Sequence, residues 1–364
     1  MFQNTFKDKK VIVTGHTGFK GSWLIAWLNI LGANVTGISN NIPTNPSHCE
    51  AADLLNGIDD KRIDICDLES LKTAIINVKP DFVFHLAAQP LVRESYENPI
   101  QTYSSNIMGT LNILEALRDL KNNCSAVLIT SDKCYDNVEW EWGYRENDAL
   151  GGPDPYSASK GAAELVIKSH IKSFFETNSS HVRIASARAG NVIGGGDWAE
   201  DRIVPDCVKS WSKSKEVKLR NPNATRPWQH VLEPLSGYLS LAQNLTNHKY
   251  LHGEPFNFGP VGIENQSVIE LVKEMSKNWN EVKFRDISST NSGPYESGLL
   301  KLNCDKALYH LQWKAVMNFE DTVRMTTEWY KIFYETPERS PSTTINHINE
   351  YMKIAKDAGL KWAK

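Results

Sequence analysis

Short apolar segments alternate with amphipathic ones along the first half of the chain. The apolar segments are rich in β-branched and aromatic residues and have the length of buried strands. They lie at residues 10–14, 34–39, 81–86, 127–130 and 182–187, with a further strand expected just before Asp64. Before residue 182 these strands alternate with segments of helical periodicity, such as 99–117. Regular alternation of strand and helix predicts an α/β fold built on a doubly wound parallel sheet.

A glycine-rich turn joins the first strand to the first predicted helix. It consists of Gly15, His16, Thr17, Gly18, Phe19, Lys20 and Gly21, with the spacing Gly-x-x-Gly-x-x-Gly. Glycines at this spacing let the backbone approach a pyrophosphate, whose charge then meets the amino terminus of the following helix. A tight connection without a ligand is the alternative. The position of the glycine turn between a strand and a helix favours a dinucleotide site in a Rossmann-type sheet.

The ends of the next three strands are expected to complete the cofactor site. The second strand ends at residues 39–41 with Ser-Asn-Asn, so it offers neither an acidic group for an adenosine ribose nor an arginine for a 2′-phosphate. This position leaves the choice between NAD and NADP open. Asp64 and Ile65 follow the third strand and are expected to hydrogen-bond and pack against an adenine. The fourth strand ends in Leu86, Ala87 and Ala88, whose small side chains leave room for a cofactor.

Polar side chains are concentrated between residues 130 and 160. Ser131, Asp132 and Lys133 follow an apolar strand, at the edge where open α/β sheets bind ligands. Tyr156 and Lys160 open an alanine-rich segment that follows a proline, and their spacing of four places both on one face of a helix. The sequence therefore predicts that these five side chains converge as a catalytic centre. A solvated ion pair between Asp132 and Lys133 is the alternative.

The regular alternation ends near residue 190. A second glycine-rich stretch, 190–198, has no simple strand–helix unit after it and indicates a passage into a smaller, mixed α/β substrate lobe. We expect a Rossmann domain of residues 1–190 plus about 226–258, and a lobe of about 191–225 and 259–364. Arg226 is a candidate for a bidentate grip on a diphosphate, with a surface salt bridge as the alternative. Residues 340–344, which include Pro341, indicate a linker before a short final helix at 345–358.

Composition and charge exclude several classes of partner. The 364 residues are 41% hydrophobic and 23% charged, with a formal net charge of −3 and no block of Lys or Arg, so we expect no nucleic-acid partner. The longest apolar run, 23–31, is too short to span a bilayer, and no export signal is recognised at the amino terminus. The six cysteines show no metal-binding spacing. We therefore expect no metal, no membrane association, and reduced thiols in the cytoplasm.

Several motifs together resemble a known family. The glycine turn and Tyr156-x-x-x-Lys160 resemble the extended short-chain dehydrogenase/reductase superfamily, and within it the NAD-dependent epimerases and dehydratases. Segments 15–24, 131–135, 142–146, 190–198 and 226–234 resemble its nucleotide-sugar 4,6-dehydratases more closely. Dehydratases of dTDP-sugars carry Asp-Glu where this chain has Asp132-Lys133, and epimerases usually carry small residues there. The Asp-Lys pair fits the group that acts on CDP-sugars.

The resemblance implies an NAD-dependent lyase that acts on CDP-glucose. C4 of the sugar is oxidised, water leaves across C5 and C6, and the hydride returns to C6, giving a 4-keto-6-deoxy sugar for deoxysugar and polysaccharide synthesis, including lipopolysaccharide O-antigen. Tyr156 would be the C4 base, helped by Lys160, while Ser131 would hydrogen-bond the C4 oxygen. Asp132 would be the acid for the C6 hydroxyl. Lys133 is favoured as the C5 base, with stabilisation of an enolate as the alternative.

The resemblance also implies contacts to substrate and to a second copy of the chain. Expected substrate-binding residues are Asn191, Arg202, Arg226 and Asn257. A homodimer through helices that flank the sheet is expected. Two other functions remain open: a nucleotide-sugar 4-epimerase that uses the same tyrosine and lysine, and an NAD-binding regulator without catalytic activity.

Overall fold

A computed structural model describes residues 1–177, 180–260, 266–279, 282–288 and 299–364. The strands are β1 (Lys10–Thr14), β2 (Asn34–Ser39), β3 (Asp59–Arg62), β4 (Phe82–His85), β5 (Cys124–Ile129), β6 (Val182–Ala189), β7 (Val192–Ile193), β8 (Val217–Leu219), β9 (Thr225–Arg226), β10 (Gln229–His230), β11 (Pro255–Phe258), β12 (Gln266–Ser267) and β13 (Phe284–Asp286). The helices are α1 (Phe19–Ile30), α2 (His48–Ala51), α3 (Leu68–Val78), α4 (Val92–Glu97), α5 (Pro99–Tyr103), α6 (Gly109–Arg118), α7 (Pro155–His170), α8 (Ile203–Trp211), α9 (Leu232–Asn247), α10 (Val268–Ser276), α11 (Asp305–Leu311), α12 (Phe319–Glu335) and α13 (Ser340–Asp357).

Seven parallel strands form the central sheet, in the order β11-β6-β5-β4-β1-β2-β3. The chain winds outward from β1 in one direction through β2 and β3, then returns to the other side of β1 at β4. The carboxyl ends of β1 and β4 therefore flank the point where the strand order reverses, and this is where open α/β sheets bind nucleotides. The predicted fold class, a Rossmann-type doubly wound sheet, is confirmed.

Two hydrophobic cores cover the two faces of this sheet. Val11 and Val13 of β1 point into one core, which also contains α1 and α9, while Ile12 points into the other, which contains α3 and α6. This alternation follows from the two-residue repeat of a strand. Because both faces are covered, β4 and β5 are buried along their whole length, which explains their continuous apolar sequences.

Beyond residue 190, short two-stranded pairs replace the large sheet. The pairs are β7 with β10, β9 with β12, and β8 with β13. Two later elements return to the central sheet, because β11 pairs with β6 and α9 packs against β5 and β6. The last helix, α13, packs against both α12 and α1.

The prediction of a linker at residues 340–344 is wrong. These residues form the first turns of α13, and Pro341 lies in its first turn, where a missing N–H breaks no hydrogen bond. Thr344 is fully buried, and its hydroxyl donates to the carbonyl of Ser340 at 3.0 Å. The hydroxyls of Ser342 and Thr343 both donate to the carbonyl of Arg339, so the polar residues that suggested a linker bond to the backbone of the helix. Among the helices in the described ranges, none combines the length and apolarity needed to cross a membrane.

Candidate active site

The glycine turn packs too tightly for larger residues at two of its positions. Gly15 has a φ of +73°, and a Cβ atom there would lie 2.6 Å from the backbone nitrogen of Ala87. A Cβ atom on Gly21 would lie 2.0 Å from the carbonyl oxygen of Gly15. The turn thus brings the start of α1 close to the end of β4. The first N–H groups of a helix have no partners within it, so this turn can receive a pyrophosphate.

Two side chains of the turn point towards β2 and β3. The ring nitrogens of His16 lie 3.0 Å from Ser39 Oγ and 2.9 Å from Asp60 Oδ1, and burial lowers the pKa of this histidine. The Thr17 hydroxyl donates to the carbonyl of Asn41 at 2.7 Å. These side chains fix the conformation of the turn. A dinucleotide would therefore meet residues 16 and 17 through their backbone atoms.

The other expected cofactor residues lie at neighbouring strand ends. Asp64 is exposed, and its carboxylate accepts a hydrogen bond from the backbone N–H of Cys66 at 2.8 Å. Ile65 is buried against Gly109, where any Cβ atom would lie 2.4 Å from the Ile65 side chain. The three residues that follow β4 are partly buried and lie beside the glycine turn: Leu86, Ala87 and Ala88.

A hydrogen-bonded turn after β5 carries three of the proposed catalytic residues. Ser131 caps this 3-10 turn, since its Oγ accepts from the Lys133 backbone N–H at 3.2 Å and donates to Asp132 Oδ1 at 2.9 Å. Burial raises the pKa of Asp132, and nearby Lys133 and the Ser131 hydroxyl partly offset this effect. A carboxyl group with a raised pKa holds a proton more readily near neutral pH, as an acid catalyst requires.

Tyr156 and Lys160 lie one turn apart near the start of α7. Asp154 caps this helix by accepting from the Ser157 N–H at 2.9 Å, and the Tyr156 N–H donates to Ser95 Oγ of α4 at 3.2 Å. Burial raises the pKa of Tyr156 to about 12, an effect that its hydrogen bond with Ser131 opposes. Burial lowers the pKa of Lys160 to about 8. Tyr156 hydrogen-bonds Ser131 and is affected by the charge of Asp132, so these three buried side chains lie together. Lys160 is buried one helical turn further along α7.

Two further cations lie beside this cluster. Burial lowers the pKa of Lys20 to about 8, while the charge of Asp132 acts in the opposite direction. Arg202 donates to Asp197 Oδ2 at 2.7 Å, and its charge acts on both Lys20 and Tyr156. Lys20 belongs to the glycine turn and Arg202 to the segment that follows β7. The two halves of the chain therefore meet at the turn that carries Ser131 and Asp132.

The remaining predicted substrate residues have different surroundings. Asn191 is partly buried and directly precedes β7. Arg226 lies in β9, where its guanidinium donates to the carbonyl of Thr225 at 2.8 Å. Asn257 is fully buried, and its side-chain amide bonds Tyr135 Oη, the Tyr144 carbonyl and the Asn303 carbonyl at 2.8–3.0 Å. Since protein partners occupy both amide donors of Asn257, its expected role in binding substrate is corrected to a structural one.

Further polar residues lie around the site, and two of them, Glu164 and Arg188, had not been predicted from the sequence. Asn106 accepts from the Gln89 N–H and donates to Ser159 Oγ of α7, both at 2.8 Å. Glu164 and Arg188 form a buried ion pair below Lys160. Glu164 was detectable, because it lies four residues after Lys160 and therefore on the same face of the helix. Arg188 was also detectable, as a charged residue within an apolar strand.

Comparison with known proteins agrees with this architecture. Residues 12–326 match the model of a family described as GDP-mannose 4,6 dehydratase. A CDP-glucose 4,6-dehydratase of Salmonella typhimurium is 47% identical, over 90% of this chain and 92% of that protein. A UDP-glucose 4-epimerase of Mycoplasma genitalium is 25% identical, over 89% and 97%. The crystal structure of a UDP-glucuronic acid 4-epimerase from Bacillus cereus superposes with a TM-score of 0.75 at 24% identity, over 89% of this chain and 100% of that one.

The sheet topology and the glycine turn define a nucleotide-binding protein of the Rossmann type. The family match spans most of the chain and includes the turn, the proposed catalytic residues and much of the second half. The chain belongs to the GDP-mannose 4,6 dehydratase family.

Proposed function

We propose that this chain converts CDP-glucose into CDP-4-keto-6-deoxyglucose and water, as an NAD-dependent lyase. The observation that carries this proposal is the convergence of Ser131, Asp132 and Tyr156 at one buried site. A tyrosine and a lysine would suffice for oxidation alone. The carboxyl group of Asp132 adds the acid that elimination of water requires. The 47% identity with the Salmonella enzyme supports a CDP-sugar as the substrate.

The fit of a dinucleotide rests on the glycine turn and the strand ends around it. We propose that residues 15–21 hold the pyrophosphate, that Asp64 and Ile65 receive the adenosine, and that Leu86, Ala87 and Ala88 line the nicotinamide end. Tyr156 and Lys160 complete this end. When bound, NAD would supply the acceptor for the hydride from C4 and, in its reduced form, the donor of that hydride to C6.

Proton transfer at C4 requires help from the neighbours of Tyr156. The phenolate of Tyr156 removes the proton of the C4 hydroxyl and becomes a phenol. Because burial raises the pKa of Tyr156, that pKa must fall for the phenolate to form near neutrality. The Ser131 hydrogen bond and the charge of Lys160 stabilise the phenolate. Once C4 is a carbonyl, the Ser131 hydroxyl donates to its oxygen and stabilises the negative charge that develops there during enolisation.

Elimination uses the two residues that follow Ser131. The ketone at C4 acidifies the proton on C5, and Asp132 protonates the departing C6 hydroxyl. Lys133 lies beside Asp132 and either removes the C5 proton or stabilises the enolate. We favour removal of the proton. The water that leaves thus contains the C6 hydroxyl oxygen and the proton given by Asp132.

Binding of the nucleotide sugar is assigned to the second half of the chain. We propose that Asn191, Arg202 and Arg226 contact the substrate, with the guanidinium groups directed at its diphosphate.

We also retain residues 1–190 plus about 226–258 as the cofactor domain, and about 191–225 with 259–364 as the substrate lobe. The pairing of β11 with β6 and the packing of α9 on the sheet support the first group. Helix α13 packs against α1 and would join the two parts.

A homodimer is proposed from an apolar surface on neighbouring helices. Tyr96 of α4 and Ile100 of α5 are 52% and 83% exposed. Leu165 of α7 is 57% exposed, and α5 and α7 pack side by side. Met108 and Phe174 extend the same group of exposed apolar side chains. Exposed apolar patches of this kind commonly mark protein–protein interfaces.

A cytoplasmic location is proposed as well. All six cysteines are free thiols, and burial raises the pKa of Cys124, Cys134 and Cys207. Free thiols are typical of reducing compartments.

The proposed function is tested by incubating the purified chain and NAD with CDP-, dTDP-, UDP- and GDP-glucose. We expect a 4-keto-6-deoxy product, detected by its strong absorbance in alkali, and fastest formation from CDP-glucose. Inversion at C4 without loss of water would instead establish a 4-epimerase. Binding of NAD without turnover of any of the four sugars would favour a regulator.

A further inference from the structure

A buried ion pair lies directly below the proposed catalytic lysine. Glu164 of α7 and Arg188 of β6 are joined by an N···O distance of 2.8 Å, and both side chains are at least 95% buried. The Glu164 carboxylate also accepts hydrogen bonds from the hydroxyl of Ser186, at 3.0 Å, and from that of Thr130. The carboxylate thus accepts hydrogen bonds from three protein side chains. Burial raises its pKa, but Arg188 and the two hydroxyl groups together outweigh burial and hold the pKa below the ordinary value.

This pair contacts both sides of the catalytic turn. Thr130 directly precedes Ser131, and it bonds Glu164. Arg188 donates to Tyr135 Oη at 2.7 Å and to the carbonyl of Glu146 at 3.0 Å, and Tyr135 directly follows the 3-10 turn. The two ends of the turn are thus tied to the same ion pair. The pair in turn is attached to α7, the helix that carries Tyr156 and Lys160.

Glu164 is the anion that faces Lys160. Residues four apart on a helix lie about 5–6 Å apart at their Cβ atoms. The other titratable or charged groups around Lys160 are Tyr156 on its own helix, Asp132 and Cys134 of the turn, His85 of β4 and Lys20 of α1. Burial raises the pKa of Cys134 well above its ordinary value and lowers that of His85 to about 3, so both are neutral near pH 7. Burial also favours the neutral form of Asp132. Glu164 is therefore the carboxylate whose charge acts on Lys160 and opposes the loss of the Lys160 charge.

A structural role alone does not require these charges. Replacing a buried ion pair by apolar residues of similar volume is often neutral or stabilising, because removing two charges from water is costly. We propose that Glu164 and Arg188 are positioning residues for the proposed dehydratase reaction: together they hold the Ser131–Tyr135 segment against α7 and keep the charge balance around Lys160. This inference rests on the proposed function and adds a role for two residues that do not contact the substrate.

The test measures how cofactor reduction depends on pH. In single turnovers with CDP-glucose and NAD, the rate of NADH formation is recorded between pH 6 and pH 10 for the wild type, Glu164→Gln, Arg188→Met and the double variant. Glu164→Gln leaves an unpaired positive charge, which lowers the pKa of both Lys160 and Tyr156, so the profile moves to lower pH. Arg188→Met leaves an unpaired negative charge and moves it to higher pH. Each shift is about one pH unit, the effect of one charge within about 10 Å at an effective dielectric constant of about 20.

The double variant separates charge from packing. With both charges removed, the midpoint of its profile returns to within a few tenths of the wild-type value, while its rate falls roughly tenfold because Tyr135 and Glu146 have lost Arg188. Glu115→Gln is the matched control, since Glu115 pairs with Arg118 at 2.8 Å on the partly exposed surface of α6 and should leave the profile unmoved. Arg188→Lys keeps the charge and should restore the wild-type midpoint.

Two results would overturn the inference. One is a loss of activity or stability in the single variants with no displacement of their pH profiles, which is the behaviour of a structural pair. The other is a wild-type rate in the double variant, which also decides the matter if neither single variant folds. Failure of the wild type itself to reduce NAD with CDP-glucose would count against the proposed function and not against this pair.

Discussion

At the scale of the residue, the reaction depends on which of four neighbouring groups hold a proton. Burial raises the pKa of Tyr156 and of Asp132, and it lowers the pKa of Lys160 and of Lys20. All four shifts favour the neutral form. For Asp132, the neutral form is the one required of an acid. For Tyr156 it is the wrong one, so the catalytic state of this residue must be created by its partners.

Replacement of Lys133 tests the step at C5. We expect Lys133→Met to oxidise C4 in a single turnover but to form the 4-keto-6-deoxy product about 10²–10⁴ times more slowly, the usual contribution of an acid–base group. NADH absorbance reports the first step and alkaline absorbance of the product the second. Lys133→Arg keeps a positive charge but cannot act as a base, so recovery of product in that variant would assign Lys133 to enolate stabilisation. Undiminished product from Lys133→Met would remove Lys133 from the reaction.

The protonation of Asp132 gives the elimination step a dependence on pH. Since burial raises the pKa of this carboxyl group, it remains protonated to a higher pH than an exposed aspartic acid. Above that raised pKa the acid is lost, so we expect elimination to slow as pH increases while C4 oxidation, which needs the Tyr156 phenolate, becomes faster. The accumulation of NADH during turnover should therefore increase with pH. Constant accumulation across the range would show that Asp132 is not the acid.

At the scale of the element, helix α1 connects the cofactor turn to the rest of the molecule. Eight consecutive residues, 21–28, are buried, because the helix lies between the sheet and α13. Its apolar character on all sides was visible in the sequence as the longest hydrophobic run. The position of the turn is therefore fixed by packing on both sides of the helix that follows it.

The substitution Gly21→Ala tests the turn. A methyl group there would lie 2.0 Å from the carbonyl oxygen of Gly15 and 2.8 Å from the Cα atom of His16, so the backbone must move. We expect at least a tenfold weaker affinity for NAD, measured by titration calorimetry. Gly57→Ala is the matched control, because its added methyl group would meet only the end of the Asn29 side chain, at 3.2 Å. Equal affinity for NAD in the two variants would contradict the role of the turn.

A second element-scale feature is a group of buried histidines around Trp23. His48 stacks on the Trp23 ring, bonds Ser22 Oγ at 2.8 Å and lies 3.2 Å from the Thr344 hydroxyl of α13. His230 contacts the same ring edge-on. Burial lowers the pKa of both histidines to about 3, so both are neutral in the folded chain. The packing of α1, α2 and α13 therefore depends on uncharged imidazoles.

Because the pKa values of these histidines are lowered in the folded chain, we expect the folded protein to lose stability in acid. Their folded pKa is lower than the unfolded value of about 6.5, so the unfolded chain binds more protons below that pH. The stabilisation is complete above pH 6.5 and is lost towards pH 3, by about 1.4 kcal/mol per pH unit for each histidine. Urea unfolding at several pH values should show a smaller dependence in His48→Gln than in the wild type. Parallel curves for the two proteins would refute this origin.

At the scale of the whole molecule, the open question is assembly. Ile100 of α5 is 83% exposed, and the helices α4 and α7 that pack against α5 carry the further exposed apolar side chains Tyr96 and Leu165. We expect Ile100→Glu to convert a dimer into a monomer in sedimentation velocity, because an unpaired carboxylate would be buried at the interface. Tyr309→Glu, at a residue that is 81% exposed on α11, should leave the mass unchanged. A monomeric wild type would overturn the proposed dimer.

The local parts of this protein were predictable because their signals are local. The glycine spacing, the strand-to-helix order and the Tyr-x-x-x-Lys motif each depend on residues that are close together in the chain. The structure places the predicted strands in one parallel sheet. The prediction at residues 340–344 was wrong for a related reason. A run of Ser and Thr residues suggested a linker, but the Thr344 hydroxyl is buried and contacts His48 of α2 and Trp329 of α12, which lie far from it in the sequence or on another helix.

The sequence by itself determined the sheet, the position of the cofactor turn and the identity of the residues at the carboxyl edge of β5. The tertiary structure decided which of these residues are buried together and how burial and neighbouring charges shift their pKa values. The side-chain amide of Asn257 is suited to binding a ligand, but residues 135, 144 and 303 form hydrogen bonds with it. Glu164 and Arg188 are 24 residues apart in the chain, and the packing of α7 on β6 makes them an ion pair. Desolvation and Coulomb interactions depend on distance in space, so a pattern along the chain does not contain them.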